Sequence, residues 1–332
     1  MSAENNSNPG VLSGSTKVTI GIPVYNCERW IADTIRAALA QTWEHKEVIV
    51  VDDGSSDGTP ELCRDFGDKI RFVAQGRRGG NAARNHLLRL ASGDWVQFLD
   101  ADDSLPPEKI AVQLGSQEAA GHDVICSPVT FEKRDGDRLV RRDSQRIAHP
   151  VDWKAEWLRW NLPQTGGCLW RRTALLRIGG WNEDYRFNQE YELYFRALKA
   201  GLKFALVDGP PAIYRLWSED TVCRRDRSGV VLGKTRLIHA FLDWLETVMT
   251  PDSCSPYRRL AGVACFEMAR TLAAQDLALA RKYFLDRRRE GLIALDGPAA
   301  PWKYRFTLGL LGFAGAEKLA RLTRRSSAAT AI

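Results

Sequence analysis

The chain has 332 residues, 44% of them hydrophobic and 27% charged, with a formal net charge of +6. This balance excludes a disordered or fibrous chain and suits one large domain plus an accessory piece. Seven scattered cysteines without a CxxC pair argue against a disulfide framework or a thiolate metal site, and no run of about eighteen apolar residues argues for a membrane span.

Residues 1–16, MSAENNSNPGVLSGST, are small and polar. They read as a disordered leader rather than a signal peptide, which leaves the cytoplasm as the default compartment. Short apolar runs then alternate with helical patterns, predicting strands at 18–22, 47–51, 70–74, 95–99 and 123–126. The text after the second strand, DDGSSDGTPEL, suggests a helix capped by Thr59 with Pro60 in its first turn. GGNAARNHLLRLASGD predicts a helix that stops at Gly93, and a further helix begins near Pro107. This order predicts an α/β fold, a Rossmann-like, mostly parallel sheet with helices on both faces.

Residues 127–150 turn polar and suggest a hairpin or arm at the sheet edge. VDWKAEWLRW then sets Trp153, Trp157 and Trp160 on one helical face. Such a stripe is a core element more often than a sugar-stacking platform. From about Val222 the pattern is helical, with stops at 250–256 and 296–301, and the basicity gathers there: 19 Lys and Arg stand against 10 Asp and Glu from Thr221 onward. The expected division is a leader at 1–16, a domain at 17–221 with halves meeting near 105, and a helical region at 222–332.

Ligands of open α/β sheets bind beyond the carboxyl ends of the strands. The segments expected there are PVYNCE, DDGSSD, GRRGGNAARN and DADD. Acids, an aromatic ring, basic side chains and a helix N-terminus at one rim suit a phosphate-bearing ligand with its metal. Each loop alone could be an ordinary turn. Asp100, Asp102 and Asp103 are harder to dismiss, because adjacent carboxylates repel unless a cation or protons intervene. An Asp-x-Asp pair places both side chains on one side of an extended segment, within reach of one hard cation. GxxxxGK[ST] is missing, and the first strand does not lead into GxGxxG, which argues against a P-loop enzyme and a dinucleotide oxidoreductase.

Four stretches carry a resemblance: VTIGIPVYNCERWIADTIRAALAQTW, EVIVVDDGSSDGT, GGNAARNHLLRLASGDWVQFLDADD and GGWNEDYRFNQEYELYFRALKAG. Together they resemble glycosyltransferase family 2, whose members have the GT-A fold. The resemblance implies an inverting transferase that moves a sugar from a nucleotide-diphosphate donor, a UDP-sugar by preference, to a hydroxyl of a glycan or glycolipid. It implies that Asp100 and Asp102 bind Mn2+ or Mg2+ and that Ala101 lies between them at the donor. It further implies that Pro23, Tyr25 and Glu28 lie around the nucleoside, that Asp53 receives a hydrogen bond from the base, and that Arg78, Gly79 and Arg84 flank the donor. A one-residue loop shift would exchange Arg77 for Arg78.

The catalytic base implied by the family is an acid after a GGF-D/N-E turn, here Glu190 after GGWNE. The usual Glu-Asp pair reads Gln189-Glu190, and Glu192 is the runner-up, more easily read as ion-pairing. Some relatives place a metal-binding His where this chain has Trp217. A non-catalytic sugar-nucleotide binder or scaffold is the alternative that the Gln189 departure keeps open. The C-terminal PWKYRFTLGLLGFAGAEKLARLTRR mixes apolar and basic residues. It would either lie peripherally on an anionic membrane face, where lipid-linked acceptors reside, or dock on protein with its basic side in water. No nucleic-acid motif is present.

Overall fold

The computed structural model describes residues 16–135, 138–216 and 226–329; Trp217 and most of the leader lie outside them. The described residues fall into two compact units, one of residues up to Trp153 with 161–216, the other of 154–160 with 226–329.

The first unit is built on a seven-stranded sheet in the order β3-β2-β1-β4-β8-β5-β9. Its strands are β1 (Val18–Val24), β2 (Lys46–Asp52), β3 (Arg71–Ala74), β4 (Trp95–Phe98), β5 (Val124–Cys126), β8 (Cys168–Arg171) and β9 (Phe204–Leu206). All pairings are parallel except those of β8, which runs against both β4 and β5. Strands covered on both faces read as continuous apolar runs. Accordingly Ile20, Ile22, Val50, Val96 and Phe98 are fully buried. Helices α1 (Ile31–Leu39), α2 (Thr59–Arg64), α3 (Gly80–Leu90), α4 (Lys109–Gly115), α6 (Arg172–Arg177) and α7 (Gln189–Lys199) accompany the strands. The chain enters β4 through Gly93 because nothing larger fits: a Cβ there would lie 2.5 Å from the backbone nitrogen of Thr19.

The predicted α/β architecture is found, with local differences. The segment after Ser127 does form a hairpin, β6 (Val129–Asp135) with β7 (Arg138–Ser144), yet it belongs to a separate three-stranded sheet completed by β10 (Ala212–Leu216). The main sheet instead ends in β9 on one side and β3 on the other. Thr59 is not the cap of α2. Its N–H donates to Asp57 Oδ1 at 3.1 Å, and its hydroxyl accepts from the Cys27 N–H at 2.8 Å.

Beneath the rim lies a buried polar network. The Lys109 ammonium donates to Gln97 Oε1 at 2.8 Å and Gln113 Oε1 at 2.7 Å. Gln97 Nε2 donates to the Gly166 carbonyl at 3.1 Å, and Gln113 Nε2 to the Gly167 carbonyl at 3.0 Å. The turn at Thr165–Gly167 is therefore held from below by two amides that one amine orients. Burial pulls the Lys109 amine down from 10.5 to about 7. Between those values the unfolded chain binds the proton more readily than the folded one, so this group adds stability as pH rises from 7 toward 10 and adds nothing to the pH dependence well below 7. Urea unfolding of the parent should gain about 2 kcal/mol between pH 7 and pH 9 relative to a Lys109→Met variant. Parallel pH profiles for the two proteins would count against this assignment.

In the second unit, the segment around Trp157 and helices α8 (Arg227–Val248), α9 (Pro251–Ala273), α10 (Leu277–Arg289) and α11 (Trp302–Ala329) share an aromatic core. Trp157, fully buried, stacks flat on Phe241 with centroids 4.1 Å apart, and Phe284 stacks on Phe313 at 4.6 Å. Trp157 thus serves the core. Trp160 leaves the helical face: α5 spans Trp153–Leu158, and Trp160 has φ 55°. Pro256 lies inside α9, whose first turn holds Pro251 after a Thr250 cap, so the break falls at Met249 and not at Pro256.

Candidate active site

Four segments reach the rim of the main sheet from strand ends. After β1, Tyr25 lies under the Arg77 guanidinium, 3.1 Å from the ring centroid, while Pro23 sits opposite Val51 in the β1/β2 register. Glu28 faces α2, where its Oε2 accepts from the Gly58 N–H at 2.7 Å. Asp53, after β2, is buried and accepts three hydrogen bonds at 2.8 Å, from Gln75 Nε2 and from the N–H groups of Arg78 and Gly79. A carboxylate has roughly four acceptor sites, so about one remains for an incoming donor. Its present work is to fold the 76–79 loop. Gly79 takes φ 97° there, a conformation that a side chain would strain although no atom crowds it. Arg77 and Arg78 diverge, the latter reaching Glu183 Oε2 at 3.4 Å.

Helix α3 carries Asn81, Arg84 and Asn85 at i, i+3 and i+4, hence on one face. Asn85 Nδ2 donates to the Trp181 carbonyl at 2.8 Å and its Oδ1 accepts from the Trp181 N–H at 2.8 Å. Asn81 Nδ2 donates to the Asn182 carbonyl at 2.6 Å. The GGWNE turn is thereby clamped to α3. Sequence alone gives neither asparagine a role; the available signal is two amides one helical turn apart on the face that also carries Arg84.

Arg84, buried, donates through Nη2 to Asp100 Oδ1 at 2.6 Å and through Nη1 to Gln189 Oε1 at 3.2 Å, with its guanidinium 4.7 Å from the Trp181 ring centroid. One arginine thus joins the Asp-x-Asp segment to the first residue of α7. Burial alone would lower its proton affinity, but Asp100 and Glu190 more than offset that and hold it above the ordinary arginine range. Glu190, beside Gln189, accepts from the Thr165 hydroxyl at 2.9 Å through Oε1. Glu192 faces elsewhere, buried in a bidentate pair with Arg196 at 2.7 and 2.8 Å.

The three aspartates have separate surroundings. Asp100 pairs with Arg84. Asp102 is pushed up to about 6, first by burial and then by the Asp100 charge. Asp103 points into the fold, where Oδ1 accepts from the Arg215 N–H in β10 at 2.8 Å. Burial, followed by Asp102 and Asp100, raises its carboxyl well above the usual range. Ala101 is buried between them and its carbonyl accepts from the Thr34 hydroxyl at 2.9 Å. Tyr214 sits among these acids. After burial itself, the charges of Asp103, Asp100, Glu190 and Asp102 push its hydroxyl above the ordinary tyrosine range.

Among the described residues no group of three or more His, Cys, Asp or Glu is placed to hold a metal. The carboxylates of Asp100 and Asp102 are hard oxygen donors of the kind Mg2+ and Mn2+ prefer; Asp100 already has Arg84 as a cationic partner, and the Asp102 carboxyl is raised first by burial and only then by the Asp100 charge. The pair fits a divalent ion that takes its remaining ligands from outside the protein.

The profile of Glycosyl transferase family 2 matches residues 19–179. An uncharacterized glycosyltransferase of Rickettsia typhi is 30% identical over 191 residues, covering 56% of this chain and 59% of that protein, so the chain spans less than two thirds of that relative's length. S. aureus TarS 1-349 in complex with UDP-GlcNAc superposes with a TM-score of 0.52 at 16% identity, over 83% of this chain and 92% of that one. The mannosyltransferase PcManGT from Pyrobaculum calidifontis, in complex with GDP-Man and Mn2+, gives a TM-score of 0.52 at 18% identity, over 92% and 87%. At such identities the likeness is one of fold, the GT-A fold. Through residues 19–179 the chain belongs to glycosyl transferase family 2.

Proposed function

We propose that the protein transfers a sugar, with inversion, from a nucleotide-diphosphate donor to a hydroxyl of a glycan or glycolipid, with Glu190 as general base. The observation that carries this reading is the Arg84 bridge. It ties Asp100, just past the end of β4, to Gln189, the first residue of α7 and the neighbour of Glu190, so the segment suited to the leaving diphosphate and the helix start that carries the acid suited to the acceptor are joined by one side chain. A UDP-sugar is the preferred donor, since the TarS neighbour is in complex with UDP-GlcNAc; the GDP-Man complex of PcManGT makes the guanosine donor the comparison to run.

The acceptor oxygen attacks the anomeric carbon from the side opposite the diphosphate. Its bond forms as the bond from that carbon to the diphosphate oxygen breaks, and the electron pair leaves with the diphosphate. The acceptor proton passes to Glu190, whose second oxygen stays available because the Thr165 hydroxyl engages Oε1. Arg84 holds Asp100 in place and Asn81 and Asn85 fix the turn before α7, so the two carboxylates are positioned before substrate arrives. A divalent cation held by Asp100 and Asp102 would stabilise the charge gathering on the diphosphate.

The test is nucleotide release together with thermal shift, using UDP-GlcNAc and GDP-Man, with and without Mn2+. One donor should raise the melting midpoint and release its nucleotide in the presence of acceptor glycan. Asp102→Asn should remove most of the Mn2+-dependent part of both signals while the protein stays folded. If no nucleotide sugar shifts the midpoint and none is turned over, the reading fails; binding without turnover in the parent would favour the non-catalytic binder.

A further inference from the structure

Helix α11 buries one side and leaves a row of large apolar side chains on the other. Tyr304 points into the helical unit, 7% exposed, its ring 5.8 Å from Phe266 and its hydroxyl donating to Glu317 Oε1 at 2.7 Å. At about 100° of rotation per residue, Trp302, Phe306 and Leu310 share a strip about 80° wide, centred about 160° away from Tyr304. They are 67%, 66% and 69% exposed. Isolated surface leucines are ordinary, but three such side chains in one row mark an interaction surface. The row ends where Gly312, at φ 64° and ψ 178°, interrupts the helix.

Charge identifies what covers it. Lys303 and Arg305 are exposed on the two flanks of the strip, and Lys318 and Arg321 are exposed beyond the kink. Glu317, the one acid of the helix by sequence, is turned inward and pairs with Arg270 at 2.7 Å. Apolar and cationic groups therefore alternate along this helix, whose own acid is turned inward; the carboxylate near Arg305 is Asp296, and it is already paired with Arg259. Two copies of the chain would bring like charges together, which disfavours self-association through this face. No helix among the described residues is long and apolar enough to cross a bilayer. We propose that α11 lies in the plane of an anionic lipid surface, with Trp302, Phe306 and Leu310 in the acyl boundary and the four cations against lipid phosphates. This stands independently of the sugar-transfer reading.

Flotation of the full chain with phosphatidylcholine vesicles, with and without phosphatidylglycerol, tests it. The protein should float with the anionic vesicles, roughly tenfold or more less with phosphatidylcholine alone, and return to the bottom fraction as salt is raised. Phe306→Ser/Leu310→Ser and Lys303→Gln/Arg305→Gln should each weaken partition roughly tenfold. These positions are exposed, so circular dichroism and the melting midpoint should match the parent. The proposal is overturned if the parent fails to float with anionic vesicles, or if the double-serine variant floats as well as the parent. It is also overturned if the strip instead drives self-association that sedimentation detects and the serine pair abolishes.

Discussion

A Glu190→Gln variant should lose roughly a thousandfold in the rate of sugar transfer, within the range general-base catalysis contributes, while binding its donor about as well as the parent. The amide keeps the size of the side chain and can still accept from the Thr165 hydroxyl, which now donates to Oε1 at 2.9 Å. Only the capacity to take a proton is lost. Glu190 lies in the first turn of α7, where the helix dipole favours a negative charge. Neutralising it should therefore cost stability no more than about 1 kcal/mol, a loss that cannot account for a thousandfold change in rate. Nucleotide release measured at saturating donor and acceptor, beside donor affinity from thermal shift, separates the two effects. Transfer within tenfold of the parent would mean that another group takes the proton.

Arg84→Met should have the largest effect on stability, a loss of about 3 kcal/mol in urea unfolding. Methionine fills similar space but offers Asp100 no cation, Gln189 no donor and the Trp181 face no charge. The partly exposed Asp100 carboxylate would recover some hydration, which holds the loss toward the lower end of what breaking a buried pair costs. Adding Asp100→Asn should return part of the loss, because the partner's unpaired charge is then gone, and the resulting cycle reports the coupling directly. An Arg84→Met protein as stable as the parent would mean that the bridge contributes nothing to the fold.

Five of the seven strands of the main sheet, β1 to β5, could be located from sequence because parallel strands covered by helices are nearly all apolar, as in VTIGIPV and EVIVV; β8 and β9 are not among them. The polar segments that follow them were visible for the same reason. What sequence could not supply was the identity of long-range partners. The third aspartate looks like an addition to a metal pair, yet Asp103 binds a strand 112 residues away. Asp53 looks like a ligand for a base, and in the fold it first organises the loop carrying Arg78 and Gly79. Thr59 followed by Pro60 satisfies the pattern of a cap, but Asp57 accepts the helix N–H, and the threonine hydroxyl accepts from the Cys27 N–H. The substitution of Gln189 for an acid reads as a defect until Arg84 is seen to use the amide oxygen. Tyr214 had no signal: it is one aromatic residue in a short strand, and only tertiary structure sets it among four carboxylates.

Strand β8 has a consequence for how such a protein can diversify. A parallel strand delivers to the rim the residues that come after it, whereas β8, reversed against β4 and β5, delivers those that come before it, Thr165 to Gly167. The rim is thus composed from chain running in both senses. Insertions or exchanges just upstream of Thr165 change one part of the rim without altering the lengths or register of β1 to β4, which deliver the rest of it. A lineage could explore new partners on one side by loop variation alone while the other side stays under its own constraints.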